Sequence, residues 1–262
     1  MKQIENKKIL ITVKAYPNPS KKYTETVCCA GIDLSNFQLV RLYPVPFRDL
    51  DDSKKFKKYS IIEVECSPPS DDKRLESFHI NSDSIKIIDE LGTEKGTWRK
   101  RKDIVLKVPI KSMCQVYKDA EENDFSLGLI RPENVKFEWS KRNLSDPKER
   151  ESCYAQLSFF DKSKDAIEEI PFSFYYNFKC AGIEYCPGHK LSIIDWEIGQ
   201  MYRQLLKKYR QEDVLQKIEQ KWIEISNNSI KEVYFYVGNL KRFRSTFMIL
   251  GVFYPTRTDI KS

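Results

Sequence analysis

The chain has 262 residues, 45 Lys and Arg against 38 Asp and Glu, and a net charge of +7. That is long enough for one large domain or two small ones, and the charge biases the surface toward polyanions without making a disordered basic tail. Hydrophobic residues make up 40%, which places the chain among globular proteins. Nine glycines, none spaced as Gly-x-Gly, exclude a dinucleotide-binding fingerprint, and the stretch from Gly182 to Lys190 lacks the Lys-Ser/Thr ending of a phosphate loop. Any nucleophile–histidine pair would have to use His79 or His189, and no nucleophile elbow accompanies either. Seven cysteines, an odd number partly inside apolar stretches, fit a reducing cytoplasm. The charged N-terminus has no signal-peptide core, and the longest uncharged apolar run, residues 246–255, is far short of the roughly 20 residues of a membrane span. The expectation is a soluble, cytoplasmic protein with no membrane partner.

In chain order, residues 9–13 alternate as a strand that stops at the Pro17 and Pro19 loop, since proline supplies no ladder donor. Residues 26–32, 37–43 and 60–66 are further short segments rich in β-formers, and 73–80 suits another. A short helix is expected over 110–122, after Pro109. A second β-rich series follows at 135–139, 153–160, 171–179, 191–196, 233–237 and 247–254, with the charged stretch 140–151 read as a solvated loop. Residues 197–225 switch to helical periodicity in two stripes that are out of phase, so a break is expected near 210–213. The fold class is therefore mainly β (α+β): two small β modules, residues 1–122 and 123–262, the second carrying a helical insert at about 197–226.

Three groups of residues could carry chemistry. Cys180, Cys186 and His189 lie within ten positions, with Pro187-Gly188 for the tight turn, and suit a structural zinc whose fourth ligand would be Cys153 or a carboxylate. Buried thiols and a hydrogen-bonded histidine are the alternative, and Cys114 serves as an unrelated thiol for comparison. Asp195 and Glu197 have the spacing of a metal-dependent nuclease pair, but no lysine follows at the spacing such sites employ, and Glu197 equally suits the first turn of a helix. The segment from Arg41 through Tyr43 to Arg48 sets cations beside rings, the pairing that single-stranded nucleic acid binding uses. Lys54 and Lys57, Arg99 and Arg101, and Arg242 and Arg244 belong to clusters that repeat charge with an interleaved aromatic.

Residues 15–20 (which include Tyr16), 25–31 and 41–48, then Cys180, residues 186–189 and 195–197, and Gly238-Asn239 leading into residues 247–251 together resemble the pattern of bacterial proteins described as dual OB-containing. The resemblance implies two consecutive OB-type barrels and nucleic-acid binding, and sets such proteins in mobile-element or defence loci. The expected function is a non-catalytic accessory protein that binds nucleic acid, single-stranded DNA or RNA, with a protein partner on the helical insert. An interaction scaffold is the alternative, and a nuclease around Asp195 and Glu197 ranks below both.

Overall fold

The computed structural model describes residues 4–15, 18–19, 25–47, 49–70, 72–93, 97–142, 170–241 and 243–257. The first half contains β1 (Glu5–Lys14), the two-residue β2 (Asn18–Pro19), β3 (Glu25–Asp33), β4 (Leu39–Val45), β5 (Ser60–Ser67), β6 (Ser77–Ile80) and β7 (Lys86–Glu90). Neighbouring strands run β1-β3-β4-β6-β5, and β5 pairs back onto β1, so five strands close a barrel. The pairing of β4 with β6 is parallel. Alternation along each strand divides its side chains between two cores. Ile9, Ile11, Val40, Leu42, Ile62 and Val64 fill the barrel, while Leu10, Ala30, Ile32 and Ile61 point outward and are buried elsewhere. A bulge between Ile11 and Val13 shifts the phase, which sends Val13 outward with Leu10.

After α1 (Arg99–Val105), the second half builds β8 (Ile110–Lys111), α2 (Met113–Glu122), β9 (Leu127–Ile130), β10 (Pro132–Lys141), β11 (Phe172–Cys180), β12 (His189–Ile193), α3 (Trp196–Leu206), α4 (Gln211–Ile225), β13 (Tyr234–Asn239) and β14 (Phe247–Phe253). The sheet order is β10-β11-β12-β14-β13-β9-β8. Only Arg131 separates β9 from β10, so the two ends of the circuit meet in one bent stretch of chain and the sheet is barrel-like. Strand order repeats that of the first half, and the pairing of β12 with β14 is again parallel. Two buried stripes, Ile198 and Tyr202 on α3 and Val214, Ile218 and Trp222 on α4, pack into this second core with Phe174, Tyr176 and Phe235.

The mainly β architecture and the helical pair match the sequence reading, with the break between helices at 207–210 rather than 210–213. The division between modules lies earlier than residue 122. Met113 and Val116 of α2 belong to the second core and β8 pairs with β9, so the chain passes from one module to the other before Ile110. The expected strand at 153–160 lies outside the described residues.

Part of the outward face of β1, β3 and β4 is buried. Leu10, Ala30 and Ile32 pack with Leu127, Leu129, Tyr236, Leu250 and Phe253 in one core between the barrels. A fully buried side chain of this size contributes about 1.5–3 kcal/mol, so the two barrels share a hydrophobic interior rather than a loose contact. No helix among the described residues is long and apolar enough to cross a membrane.

Candidate metal centre and candidate binding face

The Cys180, Cys186 and His189 triplet converges, and its fourth member is Cys114. These four donor atoms all lie within 4.8 Å of one another. Cys180 ends β11, His189 begins β12, and the intervening loop turns through Gly182 and Gly188 at positive φ (68° and 84°), a region glycine enters without steric cost. Cys114 arrives from the first turn of α2, whose Ser112 cap accepts a hydrogen bond from the Gln115 amide at 3.0 Å. Around a tetrahedral zinc, sulfur at about 2.3 Å and nitrogen at about 2.0 Å put S–S pairs about 3.8 Å and S–N pairs about 3.5 Å apart. Here Cys114 Sγ lies 3.8 Å from Cys180 Sγ, and His189 Nε2 lies 3.5, 3.3 and 3.3 Å from the sulfurs of Cys114, Cys180 and Cys186. The residues therefore fit a metal ion.

The surroundings act differently on the four donors: burial and the neighbouring Cys180 thiol push Cys114 up to about 12, and burial also raises Cys180. Burial would raise the Cys186 thiol, but backbone N–H groups of Cys180 and Gly188 hold it below its ordinary value. The Met113 amide donates to Cys180 Sγ at 3.2 Å, so the N-terminus of α2 faces the sulfurs. Burial lowers the His189 pKa and keeps its ring neutral, with Tyr117 stacked at 5.9 Å. Cys153 lies outside the described residues. All six described cysteines are free of disulfides.

Among the described residues, those that sequence reading assigned to nucleic acid do not form one face. Arg41 is buried between the barrels, 4% exposed, where its guanidinium donates to Ser126 Oγ at 2.7 Å and to the Asn239 carbonyl at 3.3 Å. Glu76 accepts from the Ser126 amide at 2.7 Å and from its hydroxyl, and Arg74 reaches the Asn239 carbonyl at 3.1 Å. The alternation that puts Arg41 on the outward side of β4 is correct, but the second barrel covers that side. Arg41 is thus a junction residue. Tyr43 is half-buried farther along β4.

Acids accompany most of the other cations. Lys54 lies 3.6 Å from Asp83, Lys57 pairs with Glu90 at 3.0 Å, and Arg244 pairs with Asp124 at 2.8 Å. Arg101 lies over the Tyr59 ring at 4.0 Å and donates to the Leu91 carbonyl at 2.7 Å, whereas Arg99 is exposed at the start of α1. The structure brings Lys57 and Arg101 together at the end of β7, and Arg41 and Arg244 around Asn239. Tyr16, Arg48 and Arg242 lie outside the described residues.

Asp195 and Glu197 do meet a lysine, though not one from downstream. Lys58 of the first barrel lies 3.1 Å from Asp195 and 3.4 Å from Glu197. Asp195 is 1% exposed and accepts from the Glu197 amide at 3.1 Å as the N-cap of α3. Burial pushes the Asp195 carboxyl up to about 6, against the pull of Lys58, while both carboxylates outweigh burial at Lys58 and hold its pKa above the ordinary value. A carboxylate so enclosed anchors a helix to the neighbouring barrel.

Among the described residues, one strand face is left uncovered, on the second barrel. Outward positions of β10, β11 and β12 align Lys136 with Asn177 and Lys190, and Glu138 with Tyr175 and Ser192. Lys190 lies 5.0 Å from the Tyr175 ring centre and pairs with Glu138 at 2.7 Å, and Lys179 stands outward opposite Glu133. Sequence reading missed this face because its lysines lie on three strands, with no cluster in the sequence to mark them.

None of the curated proteins matches the chain. Residues 5–107 match the family described as Domain of unknown function (DUF8758), and residues 109–262 match the one described as Domain of unknown function (DUF8757). The matches divide the chain where the structure passes from one barrel to the next, and with more than half of its length in the second match the protein belongs to the family of Domain of unknown function (DUF8757).

Proposed function

We propose that the protein is a zinc-stapled, non-catalytic binder of single-stranded nucleic acid, built from two OB-type barrels. The order β1-β3-β4-β6-β5 and its repeat in the second half, each with a parallel pairing of third and fifth strands, support the OB reading, and such barrels present ligands to the second and third strands. In the first barrel that face is spent on docking. The observation that carries the proposal is the equivalent face on the second barrel, uncovered among the described residues, where Lys136, Lys179 and Lys190 surround Asn177. Phosphates would meet these ammonium groups. The zinc would be held by Cys114, Cys180, Cys186 and His189 and would supply folding energy rather than reactivity, because four protein donors leave no position for substrate. Free thiols throughout the described chain support a reducing, cytoplasmic setting.

Fluorescence anisotropy of labelled single-stranded DNA and RNA, titrated at several salt concentrations, tests the binding. Affinity should fall steeply with salt, and Lys136→Ala and Lys190→Ala should each reduce the log–log slope by about one. If the parent protein binds neither strand at low salt, the interaction-scaffold reading replaces this one. Elemental analysis of chelator-free protein should return one zinc per chain.

A further inference from the structure

The loop between β11 and β12 does more in this structure than close a hairpin. Cys180 and His189, at its two ends, belong to the four-donor cluster whose atoms lie within 4.8 Å of one another, and the Ala181 amide donates to the Arg131 carbonyl at 3.2 Å while the Cys186 amide donates to the Ile183 carbonyl at 3.3 Å. A loop so restrained has little freedom to fold a side chain inward. At its tip Tyr185 is 88% exposed, the highest value among the exposed large hydrophobic side chains of the described residues, beside Ile183 at 43%. Holding an aromatic ring in water on a rigid support gains nothing for folding. It does remove most of the ordering cost of a contact made later.

We propose that Tyr185 is a base-stacking finger, its ring taking an unpaired nucleobase from a strand whose phosphates run past Lys179 and Lys190, the lysines that flank the loop on β11 and β12. The inference rests on the nucleic-acid reading above and adds the residue that distinguishes unpaired from paired strands. A ring stacks on any exposed base face, whereas bases in a duplex are already stacked on each other. Ribose and deoxyribose strands share this chemistry.

The test uses the full chain loaded with zinc, with fluorescein-labelled 20-nucleotide DNA and RNA of mixed sequence and the corresponding DNA duplex, followed by anisotropy. Tyr185→Ala should weaken binding of the single strands about tenfold, the fold-change of a typical base–aromatic stack, with an unchanged salt slope and unchanged duplex affinity. Tyr185→Phe should stay within about twofold of the parent, because the ring and not the hydroxyl makes the contact. The exposed ring touches none of the donors, so zinc content and melting temperature should match the parent and show both variants folded. Equal binding of single strands by the parent and Tyr185→Ala would overturn the finger while leaving the lysine face standing, as would an equal loss on duplex. A parent that binds no oligonucleotide overturns the finger and the nucleic-acid reading together. The DNA and RNA arms identify which strand the site prefers.

Discussion

Cys114 and Cys180 stand 66 positions apart, yet their sulfurs lie 3.8 Å from each other. The sequence displays three of the four donors because a tight turn keeps them within ten residues, while the fourth depends on how α2 docks against the second barrel, which no local spacing encodes. Cys114→Ser should therefore lose zinc and lower the melting temperature, since a structural ligand contributes folding energy. Cys28→Ser, at a half-buried thiol 3.9 Å from Arg41 and not a member of the cluster, should keep full zinc content. Equal metal loss in both would remove Cys114 from the site. A second prediction at this scale concerns acid. Burial alone would raise the Asp33 carboxyl, but the Ser35 hydroxyl and amide and the Lys7 ammonium, at 2.9 Å, hold it below its usual 3.8. A carboxylate lowered in this way adds stability that is complete above the unfolded value and is lost as pH falls through the folded one. Stability should thus decline below about pH 4 in the parent and decline less in Asp33→Asn, as urea titrations at stepped pH would measure.

The strands and the helix pair were legible because alternation and helical stripes are local signals. Their partners were not, as β4 illustrates: alternation correctly sets Arg41 opposite Leu42, and only the packed molecule reveals that the outward side is also buried. Gly31 belongs to this scale. A Cβ at that position would lie 2.5 Å from the Leu10 carbonyl oxygen and 2.5 Å from Ile9 Cγ2, so β3 crosses β1 at a separation that only glycine permits. Gly31→Ala should cost about 1–3 kcal/mol, or more where the backbone cannot yield, as read from urea unfolding. The α3 cap gives the matching test. Asp195→Ala removes the N-cap and leaves Lys58 buried, so a loss of about 3–5 kcal/mol is expected, without effect on the affinity for single strands if Asp195 serves the fold alone. Divalent-cation-dependent cleavage of nucleic acid that disappears in a folded Asp195→Ala protein would restore the nuclease reading.

For the whole molecule, the decisive feature is that three cores occur where two independent barrels need two. The third, holding Leu10 and Ile32 from one side with Leu129, Tyr236 and Phe253 from the other, lies beside the polar cluster of Arg41, Glu76, Ser126 and Asn239. Apolar burial supplies the adhesion there, and the hydrogen bonds favour one relative orientation, because Arg41 and Arg74 of the first barrel reach Ser126 and the Asn239 carbonyl of the second only when the two are docked. Neither barrel keeps its native surroundings when the other unfolds, so equilibrium urea unfolding should give a single transition by both far-ultraviolet circular dichroism and tryptophan fluorescence. Trp98 at the junction and Trp222 in the second core report on different places. Arg41→Ala should shift that transition by about 3 kcal/mol, since it leaves the Glu76 carboxylate buried with a charge partner removed. The same variant should bind single-stranded nucleic acid with the parent's salt slope, because a guanidinium enclosed between barrels neutralises no phosphate. Two separated transitions in the parent would mean that the barrels fold independently despite the shared core, and a reduced salt slope in Arg41→Ala would return Arg41 to the binding surface.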